Sequence, residues 1–116
     1  MSKFIVLYRA PVSALDDWMK TPEAERKTQE DKMKADWNAW MEKNGSHVLE
    51  TAGAGATKLV TNDGVKDSRN DIMLYSLVQA DSQEAAAALF EGHPHFGIPG
   101  ATIEVMTANV LPGMER

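Results

Sequence analysis

Two histidines separated by one residue lie near the end of the chain and are the side chains best suited to proton transfer. His93 and His95 belong to residues 93–100, a segment that also contains two prolines and two glycines. This composition is typical of a loop with a defined conformation. A carboxylate follows at Glu104, inside a predicted strand. Since histidine changes its charge near neutral pH, an imidazole close to a carboxylate is a common acid–base arrangement. These three residues are therefore our candidate catalytic residues.

The spacing of the two histidines suggests that they act on one ligand. His93 precedes a proline, which favours an extended backbone, and alternation along an extended segment would put His93 and His95 on the same side. A metal would need a third ligand, for which the candidates are Glu91, Glu104 and His47. We predict no metal, because two histidines alone are a weak pattern. The alternative is a polar loop in which a partly buried histidine holds helix to strand.

Glu104 and Arg9 are predicted at the ends of two strands. Glu104 alternates with Ile103 and Val105, so it points away from the helices if those two pack beneath them. There it could serve as acid or base between two subunits, or it could be an ion-paired residue with Arg9 or Lys3 as partner. The guanidinium of Arg9 offers a fork of donors to an anion. Arg9 could equally cap the next helix or pair with an aspartate, for which the candidates are Asp16 and Asp17.

Tyr8 and Tyr75 complete the set of candidate ligand-binding residues. Each could offer a hydroxyl to a pocket, and each could instead fill a core with one end in water. The segment Gly53-Ala54-Gly55 lacks the third glycine and the following helix of a nucleotide-binding loop, so we interpret it as a bend. The sequence implies no organic cofactor.

The apolar periodicity predicts an α+β domain. It indicates strands at residues 3–9, 47–51, 57–61, 72–79 and 102–108, one helix over residues 21–43 and a second over residues 82–90. Thr21 and Pro22 are typical of a helix start, with the threonine as the capping residue. The segment Asp81-Ser82-Gln83-Glu84 is a capping box that predicts Ser82 as the cap of the second helix.

We expect a short turn over residues 13–19, a loop over residues 67–71 and a loose tail over residues 111–116. The spacing of Met33, Trp37, Trp40 and Met41 predicts the buried stripe of the first helix, and the three tryptophans, Trp18, Trp37 and Trp40, are interpreted as core or pocket wall. The order of strand, helix, strands, helix and strand is that of the ferredoxin-like split βαβ fold, an antiparallel sheet with two helices on one face.

Both faces of this predicted sheet are apolar. In the first strand Phe4, Val6 and Tyr8 alternate with Ile5 and Leu7, and two helices can cover only one side. An uncovered apolar face of several hundred Å² is larger than scattered exposure explains. The sequence therefore predicts a homodimer that packs sheet to sheet.

Composition narrows the class of protein. The chain has 116 residues, a net charge of −5 and no cysteine, with 43% hydrophobic and 25% charged residues. A negative chain without clustered lysine and arginine is a poor partner for nucleic acid, and no apolar run approaches the roughly 20 residues of a membrane span. Absence of cysteine excludes disulfides and thiolate chemistry. We expect one domain over residues 1–116, in the cytoplasm.

Three segments resemble the YCII-related (DGPF-domain) family. They are Phe4-Ile5-Val6-Leu7-Tyr8, residues 81–89, and Thr102-Ile103-Glu104-Val105. The resemblance implies a dimeric α+β barrel with a small-molecule cleft between sheet and helices, and Glu104 matches the family's strand glutamate. The Asp-Gly-Pro-Phe signature itself is not kept, since Asp63-Gly64 is followed by Val65 and Lys66. Residues 10–46 contain no histidine, so the His–Asp pair of one branch does not carry over.

Two functional hypotheses follow. The first is a small enzyme that does acid–base chemistry on a small molecule, with His93 or His95 as proton carrier, Glu104 as partner and Arg9 as anchor for an anionic group. The second is a non-catalytic module that binds a small ligand or a protein. Geometry discriminates between them, because catalysis requires an imidazole nitrogen and a carboxylate within reach of one cavity.

Overall fold

The architecture is an antiparallel sheet with helices packed on one side. The computed structural model describes residues 1–114, and within them it contains six strands and three helices. In chain order these are β1 (Ser2–Arg9), α1 (Val12–Lys20), α2 (Glu23–Asn44), β2 (Val48–Gly53), β3 (Thr57–Thr61), β4 (Gly64–Ser68), β5 (Ile72–Ala80), α3 (Gln83–Ala88) and β6 (Thr102–Thr107). Two single 3₁₀ turns, Gly45–His47 and Pro94–Gly97, complete the regular structure.

Four of the strands form the main sheet in the order β2-β5-β1-β6, and all neighbours are antiparallel. The two central strands are thus the first and the third of the four along the chain, which is the ferredoxin-like arrangement. The predicted fold class is confirmed. β3 and β4 pair only with each other, as a separate two-stranded sheet.

The core lies between this sheet and the helices. Phe4, Val6 and Tyr8 of β1 are buried, as are Val78 of β5 and Phe90 after α3. α2 contributes Trp40, whose indole nitrogen donates to the carbonyl oxygen of Leu89 at 3.0 Å and whose ring stacks on Phe90 with centroids 5.2 Å apart. Of the apolar stripe along α2, only Trp40 is buried, while Met33, Trp37 and Met41 are partly exposed.

The helix ends differ in part from the prediction. Thr21 does not cap α2: its Oγ1 donates to the carbonyl oxygen of Asp17, so the residue closes α1 instead. α1 occupies nine residues where a short turn was expected, and it leaves Thr21 at its C-terminus. Ser82 caps α3 by accepting the backbone N–H of Ala85 at 3.0 Å, as expected for a serine before a helix.

Several segment predictions shift by a few residues. Residues 67–71 were expected to be loop, but β4 continues through Ser68 because it pairs with β3. The predicted tail over residues 111–116 is irregular up to Met114, and its last two residues lie outside the described part of the chain. None of the helices within residues 1–114 combines the length and apolar character that crossing a bilayer requires.

The second face of the sheet is not covered by any element of residues 1–114. Ile5 and Leu7 of β1 and Tyr75 and Leu77 of β5 lie on it and are partly exposed. We call this surface the open face. The protein exposes 8274 Å², whereas a compact monomer of 12.8 kDa exposes about 6,300 Å². Its radius of gyration, 16.3 Å, also exceeds the roughly 13 Å typical of a compact chain of this length.

Candidate functional site

His93 lies inside a cluster of aromatic side chains. Its ring centroid is 4.5 Å from that of Trp37, 4.7 Å from Trp40, 5.5 Å from Tyr8 and 5.7 Å from Phe90. We call these five residues the aromatic cluster. β1 supplies Tyr8, α2 supplies the two tryptophans, and the residues after α3 supply Phe90. The sheet, α2 and α3 must therefore be packed together to enclose the His93 ring.

The hydrogen bonds of His93 define its protonation state. Its Nδ1 accepts the backbone N–H of His95 at 3.0 Å, so the proton of the neutral ring is on Nε2. Nε2 is buried and has no hydrogen-bond partner within residues 1–114. Burial, and secondarily the nearby His95, lower the pKa of His93 to about 4, because a cation in this environment would lose its hydration. The ring is therefore neutral at physiological pH.

His95 has a structural connection to β1. Its Nε2 donates to the carbonyl oxygen of Arg9 at 2.8 Å, which fastens the loop to the end of the strand. His93 has the extended backbone that its proline predicted, but His95 lies in the turn Pro94–Gly97. The simple alternation expected for residues 93–95 is therefore wrong. Both rings nevertheless lie within 5.6 Å of the Tyr8 ring, on the helix side of the sheet.

Arg9 and Glu104 meet on the open face. Arg9 donates from Nη1 to Glu104 Oε1, from Nη2 to Asp71 Oδ2 at 2.7 Å, and from Nε to both oxygens of Asp71 at 3.1 Å. The two carboxylates raise the pKa of Arg9, and the guanidinium holds that of Asp71 below its usual value. The pairing of Glu104 with Arg9, one of the alternatives that the sequence left open, is observed, whereas the alternative pairing of Arg9 with Asp16 or Asp17 is not, and Asp16 instead accepts from Arg69. With two carboxylates already bound, Arg9 has little capacity to anchor an anionic ligand.

The two candidate tyrosines are on opposite sides of the sheet. Tyr8 is buried, and its hydroxyl lies 2.8 Å from Ser76 Oγ, which is 2.7 Å from Thr51 Oγ1. Burial raises the pKa of Tyr8, partly offset by the Ser76 hydrogen bond. Tyr75 lies on the open face and donates to Glu50 at 2.8 Å, an interaction that raises its pKa.

The predicted site residues thus form two groups. His93, His95 and Tyr8 lie between the sheet and the helices, whereas the side chains of Arg9, Glu104 and Tyr75 lie on the open face. Glu104 is opposite Leu7 in the sheet register and Ile103 is opposite Tyr8, which places the Glu104 carboxylate on the other side from the imidazoles. The structure does not bring Glu104 together with either histidine. Within residues 1–114 no three His, Asp or Glu side chains are close enough to hold a metal ion.

A cleft lies beside the aromatic cluster, and its lining contains none of the predicted site residues. It has a volume of about 740 Å³ and opens between α1, α2, the end of β1 and residues 97–99. Its apolar lining includes Ala14, Leu15, Trp18, Met33, Trp37 and Met73. Its ionisable lining consists of Asp17, Glu30 and Lys34. Trp37 contacts both this cleft and the ring of His93, so it connects the cleft to the aromatic cluster.

Local sequence gave only a weak signal for the cleft. Trp18 and Trp37 were interpreted as core or pocket wall, but nothing in their spacing indicates that α1 and α2 diverge over the sheet. α1 ends at Lys20, and Pro22 starts the new helix after an extended Thr21. This break lets the two helices line different sides of one opening. A proline between two helical segments was the available clue.

The chain is similar to a solved structure of a bacterial enzyme. The 5-chloro-2-hydroxyhydroquinone dehydrochlorinase of Burkholderia phenoliruptrix, in complex with 2,5-dihydroxybenzoquinone, has 14% sequence identity and a TM-score of 0.48. The match covers 90% of this chain and 91% of that chain. No protein-family model matches the chain, and no curated protein matches it.

The pKa of His93 can be tested by titration. Between about pH 6.5 and 4 the unfolded chain should bind one more proton than the folded protein at this residue, because folding keeps the ring neutral. As pH falls through this range, the free energy of unfolding should decrease by up to about 1.4 kcal/mol per pH unit from this group. His93→Asn retains an acceptor for the His95 N–H and should reduce that slope, measured by urea denaturation at several pH values. An NMR titration that places the His93 pKa near 6.5 would contradict the buried neutral state.

Proposed function

We propose that the protein is a homodimeric α+β barrel, assembled through its open face, that binds a small, largely apolar and uncharged molecule in the cleft between α1 and α2. The observation that carries the binding function is the cleft itself. Its volume of about 740 Å³ is within the 300–1,000 Å³ usual for small-molecule sites, and its lining is mainly apolar and aromatic.

The dimer is supported by the area that the single chain leaves exposed. The excess over a compact monomer is about 2,000 Å² per protomer, so pairing that removed only this excess would bury about 4,000 Å² in total. Obligate homodimers bury about 2,000–5,000 Å². The apolar residues Ile5, Leu7 and Leu77 lie across the open face, which suits self-complementary pairing. This assembly is also the one that the resemblance to the YCII-related family implies.

The charges around the cleft disfavour an anionic ligand. Asp17, Glu30 and Lys34 are the ionisable groups of the lining, so the balance is one negative charge. Arg9, the anchor suggested for an anionic group, is on the open face and bound to Asp71 and Glu104. The faces and edges of Trp18 and Trp37 provide the largest apolar surfaces, which suits a planar or aromatic molecule.

Binding in the cleft can be tested with two matched tryptophan variants. Ala14 lines the cleft, whereas Met19, one turn along α1, is 63% exposed and does not line it. In a thermal-shift assay at a fixed protein concentration, uncharged 2-naphthol should stabilise the parent and Met19→Trp, because both keep an open cleft. Ala14→Trp fills the cleft and should reduce the affinity at least tenfold.

The anion 2-naphthoate serves as the charge control, and it should bind more weakly than 2-naphthol because of the carboxylates in the lining. Equal stabilisation of Ala14→Trp and Met19→Trp by 2-naphthol would place the bound molecule elsewhere.

A second candidate function is acid–base catalysis, and one specific observation favours it. The buried Nε2–H of His93 has no hydrogen-bond partner within residues 1–114, and the ring packs against Trp37 of the cleft wall. We propose that in that case the Nε2–H of His93 acts as a hydrogen-bond donor that stabilises negative charge on the ligand, since Nδ1 is occupied by the His95 N–H, and that solvent supplies the exchanging protons. Tyr8 is the hydroxyl-bearing ring on the same side of the sheet. His95 would then act only by fastening the loop to the Arg9 carbonyl oxygen. Glu104 would act only by binding Arg9, since its carboxylate lies on the other side of the sheet from His93.

The catalytic alternative predicts proton exchange on a bound molecule. In D₂O, the protein should accelerate exchange of the C1 hydrogen of 2-naphthol, observed by NMR, because a donor at the naphthol oxygen stabilises the naphtholate, whose C1 adds a deuteron from solvent and then loses the original proton to solvent. His93→Asn should abolish the acceleration while it retains the thermal shift produced by 2-naphthol. Binding without accelerated exchange in the parent would favour the non-catalytic function.

Dimerisation through the open face is tested by a charge placed at its centre. Leu77→Asp should increase the dissociation constant of the dimer at least about 100-fold, because two-fold symmetry places a carboxylate from each protomer in a buried apolar surface. Ala35→Asp, on the exposed side of α2, is the matched control and should not change dimerisation. Sedimentation velocity over a dilution series measures both. A parent protein that remains monomeric at all concentrations would exclude the proposed assembly.

A further inference from the structure

The β3–β4 hairpin is attached to the fold only at its base. β3 and β4 pair with each other over five residues each, and no other helix or strand of residues 1–114 packs extensively against them. Near the base, Asn70 donates to Thr57 Oγ1 at 3.3 Å, and Arg69 donates to Asp16 of α1 at 3.1 Å. The tip carries the turn between Thr61 and Gly64.

The two sides of the hairpin differ in character. Val60 and Val65 are directly opposite each other in the register, so they share one side, with the ion pair of Lys58 and Asp67 next to them. Their exposures, 70% and 65%, leave this valine pair bare in the single chain. An isolated two-stranded hairpin is at best marginally stable in water. A regular hairpin with an exposed valine pair therefore requires a surface to pack on.

The hairpin begins where the open face ends. It leaves the sheet after Gly53 of β2 and returns at Ile72 of β5, and Gly53 is opposite Leu74 in the register. Asp71, the last residue before β5, binds Arg9, whose guanidinium also contacts Glu104 on the open face. The base of the hairpin is thus continuous with the surface proposed to pair with a second protomer.

We infer that the β3–β4 hairpin is an arm that packs the Val60–Val65 side onto a second copy of this chain. The inference rests on the proposed dimer and extends its interface beyond the sheet. A second copy is the occupant because the base of the arm adjoins the open face, and because the exposed area of 8274 Å² and the radius of gyration of 16.3 Å both exceed those of a compact monomer of this size. Burial of the two valines would then contribute to association by the hydrophobic effect.

The test compares neighbouring residues on opposite sides of the arm. Val60→Asp places a carboxylate on the side predicted to be buried, and Thr61→Asp places the same charge on the other side. Both positions are exposed in the single chain, so neither substitution should impair folding of the protomer, which circular dichroism verifies. Val60→Asp should increase the dimer dissociation constant at least tenfold in sedimentation velocity, and Thr61→Asp should change it less than threefold.

Hydrogen exchange provides an independent readout. Backbone amides of residues 57–68 should be protected at concentrations where the parent is dimeric and should exchange rapidly after dilution to monomer. An unchanged dissociation constant for Val60→Asp, or equal protection of residues 57–68 in monomer and dimer, would contradict the proposal that the arm packs on the partner. If Leu77→Asp still disrupts the dimer in that case, the sheet-to-sheet assembly stands and only the arm fails. Loss of dimerisation in Thr61→Asp equal to that in Val60→Asp would also contradict the predicted side of contact.

Discussion

The structure depends on a sheet that is apolar on both faces and has helices for only one of them. On the covered face, Phe4, Val6 and Tyr8 pack against residues of α2 and α3, and this is where the buried core is found. On the open face, Ile5, Leu7 and Leu77 have no such cover within residues 1–114. Apolar surface of this size is costly to hydrate at about 25 cal/mol per Å². Burial of this face is the reason to propose a second protomer. The arm is part of the same proposal, because its base adjoins the open face.

The aromatic cluster shows how a polar group is held in the core. His93 uses one nitrogen to accept the His95 N–H, and the other is buried without a partner in the described chain. A buried donor without a partner costs about 1–3 kcal/mol, a cost that packing among four aromatic rings opposes. The imidazole also supplies the acceptor for the His95 N–H, which a phenylalanine ring could not do.

The separation of the candidate residues by the sheet determines which chemistry the site can support. Arg9 forms ion pairs with Glu104 and Asp71 on the open face, while the histidines are on the helix side. Within residues 1–114, His93 and His95 form no ion pair or hydrogen bond with a carboxylate. What remains on the helix side is an aromatic, mostly apolar cleft with few charges, a composition better suited to recognition of an uncharged molecule than to binding of an anion.

The sequence by itself determined the four strands of the main sheet, the helices α2 and α3, the ferredoxin-like topology, the two apolar faces and the capping of α3 by Ser82, because these follow from local periodicity and capping chemistry. It also placed Glu104 opposite the side of Ile103 and Val105, which strand alternation requires. It did not identify α1 or β4 as regular elements. Only the tertiary structure decided that Arg9 binds Asp71, 62 residues away, that His95 contacts the Arg9 carbonyl, and that α1 and α2 open a cleft. These outcomes depend on how distant segments pack, and neither spacing nor residue type encodes that geometry.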